Sequence, residues 1–267
     1  MKAIVLENVV KKIVNKGSTK NNKNIKIDDT EGVRLNKFIA DSGFCSRRQA
    51  DEIIKSGRVK INNIIETNLS RRVLPGDKVQ VDSNYIKQSV KFEYILLNKP
   101  KDTITTVRDE KNRKTIMDLV KTKFRLFPVG RLDRNTTGVL ILTNDGQLAN
   151  RLMHPKYLIE RVYLAGLDKP LKTIDAEKIS RGIKTPDFES NPCEVIISPE
   201  DRTKVYITLR EGKNREVKRI FEALGYVVKK LDRKAFAGIT VSGLARGDYR
   251  RLTREEIIHL KKATKLI

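Results

Sequence analysis

The chain is poor in side chains that bind metals or form cross-links. Its 267 residues include two cysteines, Cys45 and Cys193, and two histidines, His154 and His259. None stands at zinc-ligand or Cys-x-x-Cys spacing. A zinc module, a disulfide framework and a Cys–His nucleophile are therefore excluded, and no metal site is expected. So little cysteine fits a reducing cytoplasm. Tryptophan is absent and aromatics make up 6 % of the chain, too few for an extended base-stacking platform. No run of about 18 apolar residues occurs. The amino-terminal MKAIVLENVVKKIVNKG is interrupted by Glu7, Lys11 and Lys12. Neither a membrane span nor a signal peptide is expected, and the protein should be soluble and cytoplasmic. A P-loop, a GxGxxG after a strand, HExxH and GxSxG are all missing, so no cofactor is expected.

What the chain has in excess is positive charge. Lys and Arg number 56 against 33 Asp and Glu, a formal net charge of +23. A surplus of that size favours a polyanionic partner. Nucleic acid leads, because neutralised phosphates release their counterions.

Residues 1–31 read as a disordered basic tail, polar around Lys16–Asn24, with a short helix possible over 4–14. From Val33 the pattern changes. Leu35, Phe38 and Ile39 recur at helical spacing, and Gly43 breaks the helix. Ser46 is a good N-cap for a second helix through Lys55, with Ala50, Ile53 and Ile54 on its apolar face. Arg58–Ile61 and Leu74–Val81 read as strands with turns. This small module spans 32–81, and a polar linker follows over 82–92.

The remainder, 93–258, is strand-rich. Tyr94–Lys99, Thr103–Val107, Val139–Leu142, Glu160–Ala165, Lys204–Leu209 and 226–241 read as strands. Short helices are expected at 116–120, from Gln147, at 174–179, at 215–224 and after Thr253. Residues 259–267 read as a basic carboxy-terminal tail. Without βαβ alternation, the fold class is α+β with a mainly antiparallel sheet.

One stretch carries the chemistry, FPVGRLDRNTTGVLILTNDGQLAN, residues 127–150. Gly130 and Gly138 bracket a polar turn, and Val139–Leu142 behind it is a buried strand. A single carboxylate, Asp133, is thereby set in a loop held by the core. No second carboxylate stands at metal-binding spacing beside it. By itself an Asp among Gly, Asn and Thr more often closes a turn.

GRLDRNTTGVLILTNDG is similar to the catalytic-aspartate motif of the ribosomal small- and large-subunit pseudouridine synthases. RLNKFIADSGFCSRRQADEIIKSGRVKIN resembles the S4-type RNA-binding domain that precedes the catalytic domain in one branch of that family, and YILLNKP resembles the segment that opens the catalytic domain. The resemblance runs from about Val33 to Ile258. NREVKRIFEALG with LARGDYRRLT is nearer to the large-subunit, hairpin-modifying members.

The resemblance implies an enzyme that isomerises a uridine of ribosomal RNA, of 23S RNA in particular, without a cofactor. Asp133 would be its catalytic carboxylate. Arg131 would enter the RNA helix where the target nucleotide flips out, or else grip a phosphate. Tyr163 would pack on the uracil ring and Leu209 would line the base pocket. Lys218 would pair with Asp133 and keep the carboxylate charged in an otherwise dry pocket. In the S4-like module, Arg34, Lys37, Arg47, Arg48, Arg58 and Lys60 would contact RNA, mostly through phosphates and shape. A monomer is expected. Two other classes compete: a non-catalytic RNA-binding assembly factor on the same scaffold, and a metal-dependent RNA phosphoesterase, which the lack of a carboxylate cluster disfavours.

Overall fold

The computed structural model describes residues 32–87, 91–107 and 109–267. The expected tail of residues 1–31, with its short helix, lies outside the described residues. The rest falls into two compact units, divided between Phe92 and Glu93.

In the first unit, helices α1 (Leu35–Asp41) and α2 (Arg47–Lys55) pack on small strands β1 (Val33–Arg34), β2 (Val59–Ile61), β3 (Ile64–Ile65), β4 (Arg72–Val73), β5 (Val79–Val81) and β6 (Asn84–Ile86). Ser46 caps α2 and Gln49 reciprocates, which satisfies donors that would otherwise be orphaned at the helix start. The core is made of Leu35, Ile39, Ala50 and Ile54 against Val59, Ile61, Val79 and Val81. The β2–β3 turn is Asn62-Asn63, both left-handed at φ 51° and 67°, as two-residue hairpins require. The sheet order is β3-β2-β5-β6, antiparallel throughout. The linker expected from residue 82 starts later than its polar composition implies. Residues 84–86 form β6, because Tyr85 and its neighbours complete the open edge of β5.

The second unit is built on a nine-stranded sheet. Its strands are β7 (Tyr94–Lys99), β8 (Phe127–Pro128), β9 (Thr137–Thr143), β10 (Arg161–Leu167), β13 (Glu194–Ile197), β14 (Lys204–Leu209), β15 (Val228–Phe236), β16 (Ile239–Thr240) and β17 (Tyr249–Arg251). A separate hairpin comprises β11 (Lys184–Thr185) and β12 (Phe188–Glu189). The main order is β13-β14-β10-β15-β9-β7-β17, with β16 on β15 and β8 on β9. All its pairings are antiparallel except β9–β15, which run parallel through Asp232↔Thr137 and Arg233↔Gly138 alone. The sheet is thus two antiparallel leaves joined at a short parallel seam.

Helices cover both leaves. These are α3 (Gly146–Met153), α4 (Thr173–Arg181), α5 (Glu216–Glu222) and α6 (Arg254–Ala263). Leu96, Val139 and Ile141 face Leu148 and Leu152 of α3 and Leu260 of α6. Ile95, Leu97, Leu140 and Leu142 face Ile116, Val120, Leu126 and Leu132 on the other side. β9 is buried on both faces, which is why Val139–Leu142 is an unbroken apolar run rather than an alternating one. In the other leaf Ala165, Val205, Ile207 and Leu209 pack under Ile179 of α4 and Val217, Ile220 and Phe221 of α5.

Two further expectations fail here. Thr103–Val107 is no strand: Ile104 makes one isolated bridge to Thr115, and Thr105 is used by a loop instead. Residues 259–267 are no tail. α6 continues to Ala263, Leu260 and Thr264 are fully buried, and Leu266 packs on the core. The lysines there sit on a helix whose apolar stripe is hidden among them. Among the described residues no helix is long and apolar enough to cross a membrane.

Candidate active site

The loop between β8 and β9 presents Asp133, and its backbone is pinned from beneath. Lys99, the last residue of β7, is fully buried. Its ammonium donates to the carbonyls of Pro100 (3.1 Å), Asp133 (3.2 Å), Arg134 (3.1 Å) and Thr136 (2.9 Å). Three N–H groups are thus shared among four acceptors. Burial pushes Lys99 down to about 8, opposed by the charges of Asp133 and Asp102. Thr105 holds the residue before Asp133 reciprocally: its hydroxyl donates to the Leu132 carbonyl (2.7 Å) and accepts from the Leu132 N–H (3.2 Å). The Leu132 side chain is in the core. The Thr136 N–H closes the turn on the Asp133 carbonyl at 3.0 Å. The main chain is held from several sides, and the carboxylate side chain is left to project.

The end of the loop is set by Gly138. Its φ is +105°, and a Cβ there would stand 2.2 Å from the Arg233 carbonyl oxygen. Only glycine lets β9 lie against β15 at this point. Thr137 donates to the Asp232 carboxylate at 2.7 Å across the same seam.

Lys218, on the first turn of α5, reaches the carboxylate: Nζ to Asp133 Oδ2 is 2.6 Å. Its side chain is 20 % exposed and that of Asp133 41 %. The expected pairing is present, but the dry surround is not, because the carboxylate opens to solvent on one side. Charge-assisted contacts this short are among the stronger hydrogen bonds.

Arg131, Asp133, Tyr163, Leu209 and Lys218 all line one cavity of about 80 Å³. It adjoins a cleft of about 800 Å³ that shares Arg131, Asp133 and Tyr163 with it. Tyr163 is half-buried on β10, packed between the cores of the two leaves. Leu209 is both core residue and cavity wall, 3 % exposed at the end of β14. Arg131 is exposed at the mouth.

The far wall is the turn Glu211–Arg215, where Arg215 is left-handed at φ 51°. Glu216 behind it is buried and accepts the Lys213 N–H at 3.1 Å. Burial pushes its carboxyl up to about 7, with the neighbouring Glu211 carboxyl raising it further by hydrogen bond and charge.

The six basic residues expected to meet RNA in the first unit are solvent-facing to different degrees. Lys37 pairs with Asp41 at 2.8 Å on its own helix, and Arg58 is bonded to Asp82. Arg34, Arg47, Arg48 and Lys60 are exposed.

Sequence reasoning passes over Lys99, Thr105, Glu216, Arg161 and Arg233. The sequence signal for Lys99 is slight, because it closes β7 after Asn98 and such strand-end lysines are ordinarily exposed. Arg161 has the same strand parity as Tyr163. Glu216 and Arg233 look like solvated charge. Among the described residues no three His, Cys, Asp or Glu side chains gather as metal ligands would.

The family model described as RNA pseudouridylate synthase matches residues 93–223, and the S4 domain model matches residues 33–79. The ribosomal large subunit pseudouridine synthase B of Bacillus subtilis (strain 168) is 40 % identical over 234 residues, 85 % of this chain and 95 % of that protein. The dual-specificity RNA pseudouridine synthase of Escherichia coli (strain K12) is 38 % identical over 232 residues, 86 % of this chain and 79 % of that one. A crystal structure of a pseudouridylate synthase is similar at a TM-score of 0.63 and 31 % identity, covering 86 % of this chain and 100 % of that one. The chain belongs to the RNA pseudouridine synthase family. Within it the chain is of the type that carries an S4 domain ahead of the catalytic domain.

Proposed function

We propose that this enzyme converts a uridine of 23S ribosomal RNA to pseudouridine, with Asp133 as the catalytic carboxylate. The observation that carries the reading is the Asp133–Lys218 pair at 2.6 Å on the wall of a cavity it shares with Arg131, Tyr163 and Leu209. The names of the two relatives, one of them a large-subunit enzyme, support the choice of RNA.

The target uridine is turned out of its helix, since neither C1′ nor C5 can be worked on within the stack. Arg131, exposed at the mouth, fills or braces the gap that is left. The uracil packs on Tyr163 and against Leu209. Asp133 then either attacks C1′ or removes the proton from C2′. By either route the N1–C1′ bond breaks with its electrons on the uracil. The ring turns and C5 bonds to C1′, which expels the Asp133 carboxylate in the first route and returns its proton to C2′ in the second; the C5 proton then leaves while N1 gains one. Atoms and charge balance with no redox partner and no energy input. Lys218 holds the carboxylate aimed through the sequence, and Lys99 holds the loop. Arg34, Lys37, Arg47, Arg48, Arg58 and Lys60 would add RNA contacts from the S4 unit.

The test is tritium release from 5-tritiated uridine in unmodified 23S and 16S RNA, supplied separately with chelator present. Release from 23S RNA alone, without strand cleavage, is expected. Release from 16S RNA only would overturn the assignment to the large subunit. Release that depended on a particular metal would overturn the metal-free chemistry.

A further inference from the structure

The floor of the larger cleft contains two charges that the reaction above does not use. Arg161 on β10 is 7 % exposed and Arg233 on β15 is 2 % exposed, and both line the cleft beside Asp133. Their partners are neutral. Arg161 donates to the carbonyls of Ile159 (2.8 Å) and Leu152 (3.4 Å), and Arg233 Nε donates to that of Val139 (2.8 Å). Both guanidiniums lie over Phe236, 5.5 and 4.8 Å from the ring centre. Arg233 Nη2 has no hydrogen-bond partner among the described residues. No carboxylate is within ion-pair distance of either arginine among the described residues.

The acidic groups whose charge acts on Arg161 are Tyr163 first, then Glu216 and Glu211. Glu216 is pushed toward its neutral form by burial. Glu211 is engaged by Lys213 at 3.1 Å and by the Asn191 N–H at 3.1 Å. Burial lowers the Arg161 guanidinium from its ordinary value, and the like charge of Arg233 lowers it further. Buried arginines are ordinarily paired with an opposite charge, because carbonyls and a ring face offset only part of the desolvation cost. Here two of them share one ring on the wall of a cleft that also takes in Asp133.

We propose that Arg161 and Arg233 form a phosphodiester-binding subsite that seats the RNA backbone next to the flipped nucleotide and so positions its ribose against Asp133. The proposal rests on the reading that Asp133 acts on a flipped-out uridine. Turning a nucleotide out of a helix brings its flanking phosphates toward the protein. A phosphate offers the in-plane oxygen pairs that guanidiniums bind in a fork. Arg131, Lys213 and Arg215 on the cleft walls favour the same charge. The two arginines are positioning residues, since they touch the backbone and not the reacting atoms.

The experiment uses the full chain and a stable hairpin of its target RNA. Wild-type turnover on the plain hairpin is measured first; without it, the assignment of Asp133 fails and not this subsite. Matched hairpins then carry a neutral methylphosphonate at one or the other phosphate flanking the target uridine. Arg161→Met keeps a long unbranched side chain and removes the charge that lies over Phe236. It should raise KM roughly tenfold, lower kcat as well because the ribose is no longer held against Asp133, and flatten the salt slope of binding by about 0.9. One methylphosphonate should weaken wild-type binding by a similar factor and cost Arg161→Met nothing more. Additive losses, or an unchanged KM and salt slope, would mean that the arginines only brace the sheet. If Arg161→Met does not fold, the wild type still decides the matter. Binding that is indifferent to both methylphosphonates overturns the subsite.

Discussion

At the scale of single residues, main chain and side chain are treated differently at Asp133. The backbone around Asp133 is held by Lys99 and Thr105, whereas its side chain is 41 % exposed and packs little. Asp133→Ala should therefore abolish tritium release while leaving the melting temperature and RNA affinity near wild type. Substantial residual turnover would remove Asp133 from the chemistry. Lys218→Met keeps the aliphatic stem on α5 and deletes the 2.6 Å contact. It should lower kcat by about two to three orders of magnitude, the usual cost of one oriented charged partner. Adding it to Asp133→Ala should change nothing further, because the two residues act as a unit. Glu216 gives a pH signature. Its folded-state value, about 7, lies above the ordinary 4.5, so the folded protein holds that proton more tightly than the unfolded chain. The stability it contributes is whole below the unfolded value and is lost as pH rises through the folded one. Glu216→Gln mimics the protonated acid at every pH. The wild-type melting temperature should fall between about pH 4.5 and pH 7.5, and the variant should flatten that fall. Parallel curves for the two proteins would mean that Glu216 is not the titrating group.

At the scale of elements, the seam between β9 and β15 controls where the loop points. It consists of two residue pairs. The backbones approach so closely that an added Cβ at Gly138 meets the Arg233 carbonyl oxygen at 2.2 Å, in a left-handed conformation. Gly138→Ala should cost roughly 2–4 kcal/mol, read as a lower urea midpoint. Its kcat should fall more than stability alone explains, since the shift is passed to Asp133. A variant as stable and active as wild type would show that the seam is pliable. These elements also mark how far the sequence could be read. β9, the apolar face of α2 and the cap Ser46 were legible because local chemistry determines them: an unbroken apolar run, a 3.6-residue stripe, a hydroxyl before a helix. The parallel seam was not, because nothing local distinguishes Thr137 and Gly138 as pairing with residues almost a hundred positions later. Thr105 looks like a strand residue because its β-branch is strand-like, yet its hydroxyl is needed by Leu132. Asp133, Tyr163, Leu209 and Lys218 were found by resemblance. Their meeting in one cavity follows from the seam, which only the fold shows.

At the scale of the whole molecule, the +23 charge is spread over two units that each have a closed core. Leu35, Ile39, Ala50 and Ile54 complete the first unit against its own sheet, and the cores around β7 and β9 are made of residues of the second unit. Removal of residues 1–92, at the division between the units, should thus leave a catalytic unit that melts cooperatively. What it loses is grip. Arg34, Arg47, Arg48 and Lys60 are exposed on the first unit, and phosphate contacts made by such residues set both affinity and its salt dependence. The truncated protein should bind the target RNA at least roughly tenfold more weakly at moderate salt. Its plot of log affinity against log salt should be shallower by about 0.9 for each phosphate that is no longer neutralised. Saturated with a short hairpin at low salt, it should still release tritium, because Asp133, Lys218 and Lys99 are all in the unit that remains. Equal affinity with an equal salt slope would show that the S4 unit does not hold the RNA. Loss of turnover at saturation, with the fold intact, would show that the first unit is required for chemistry as well as for binding.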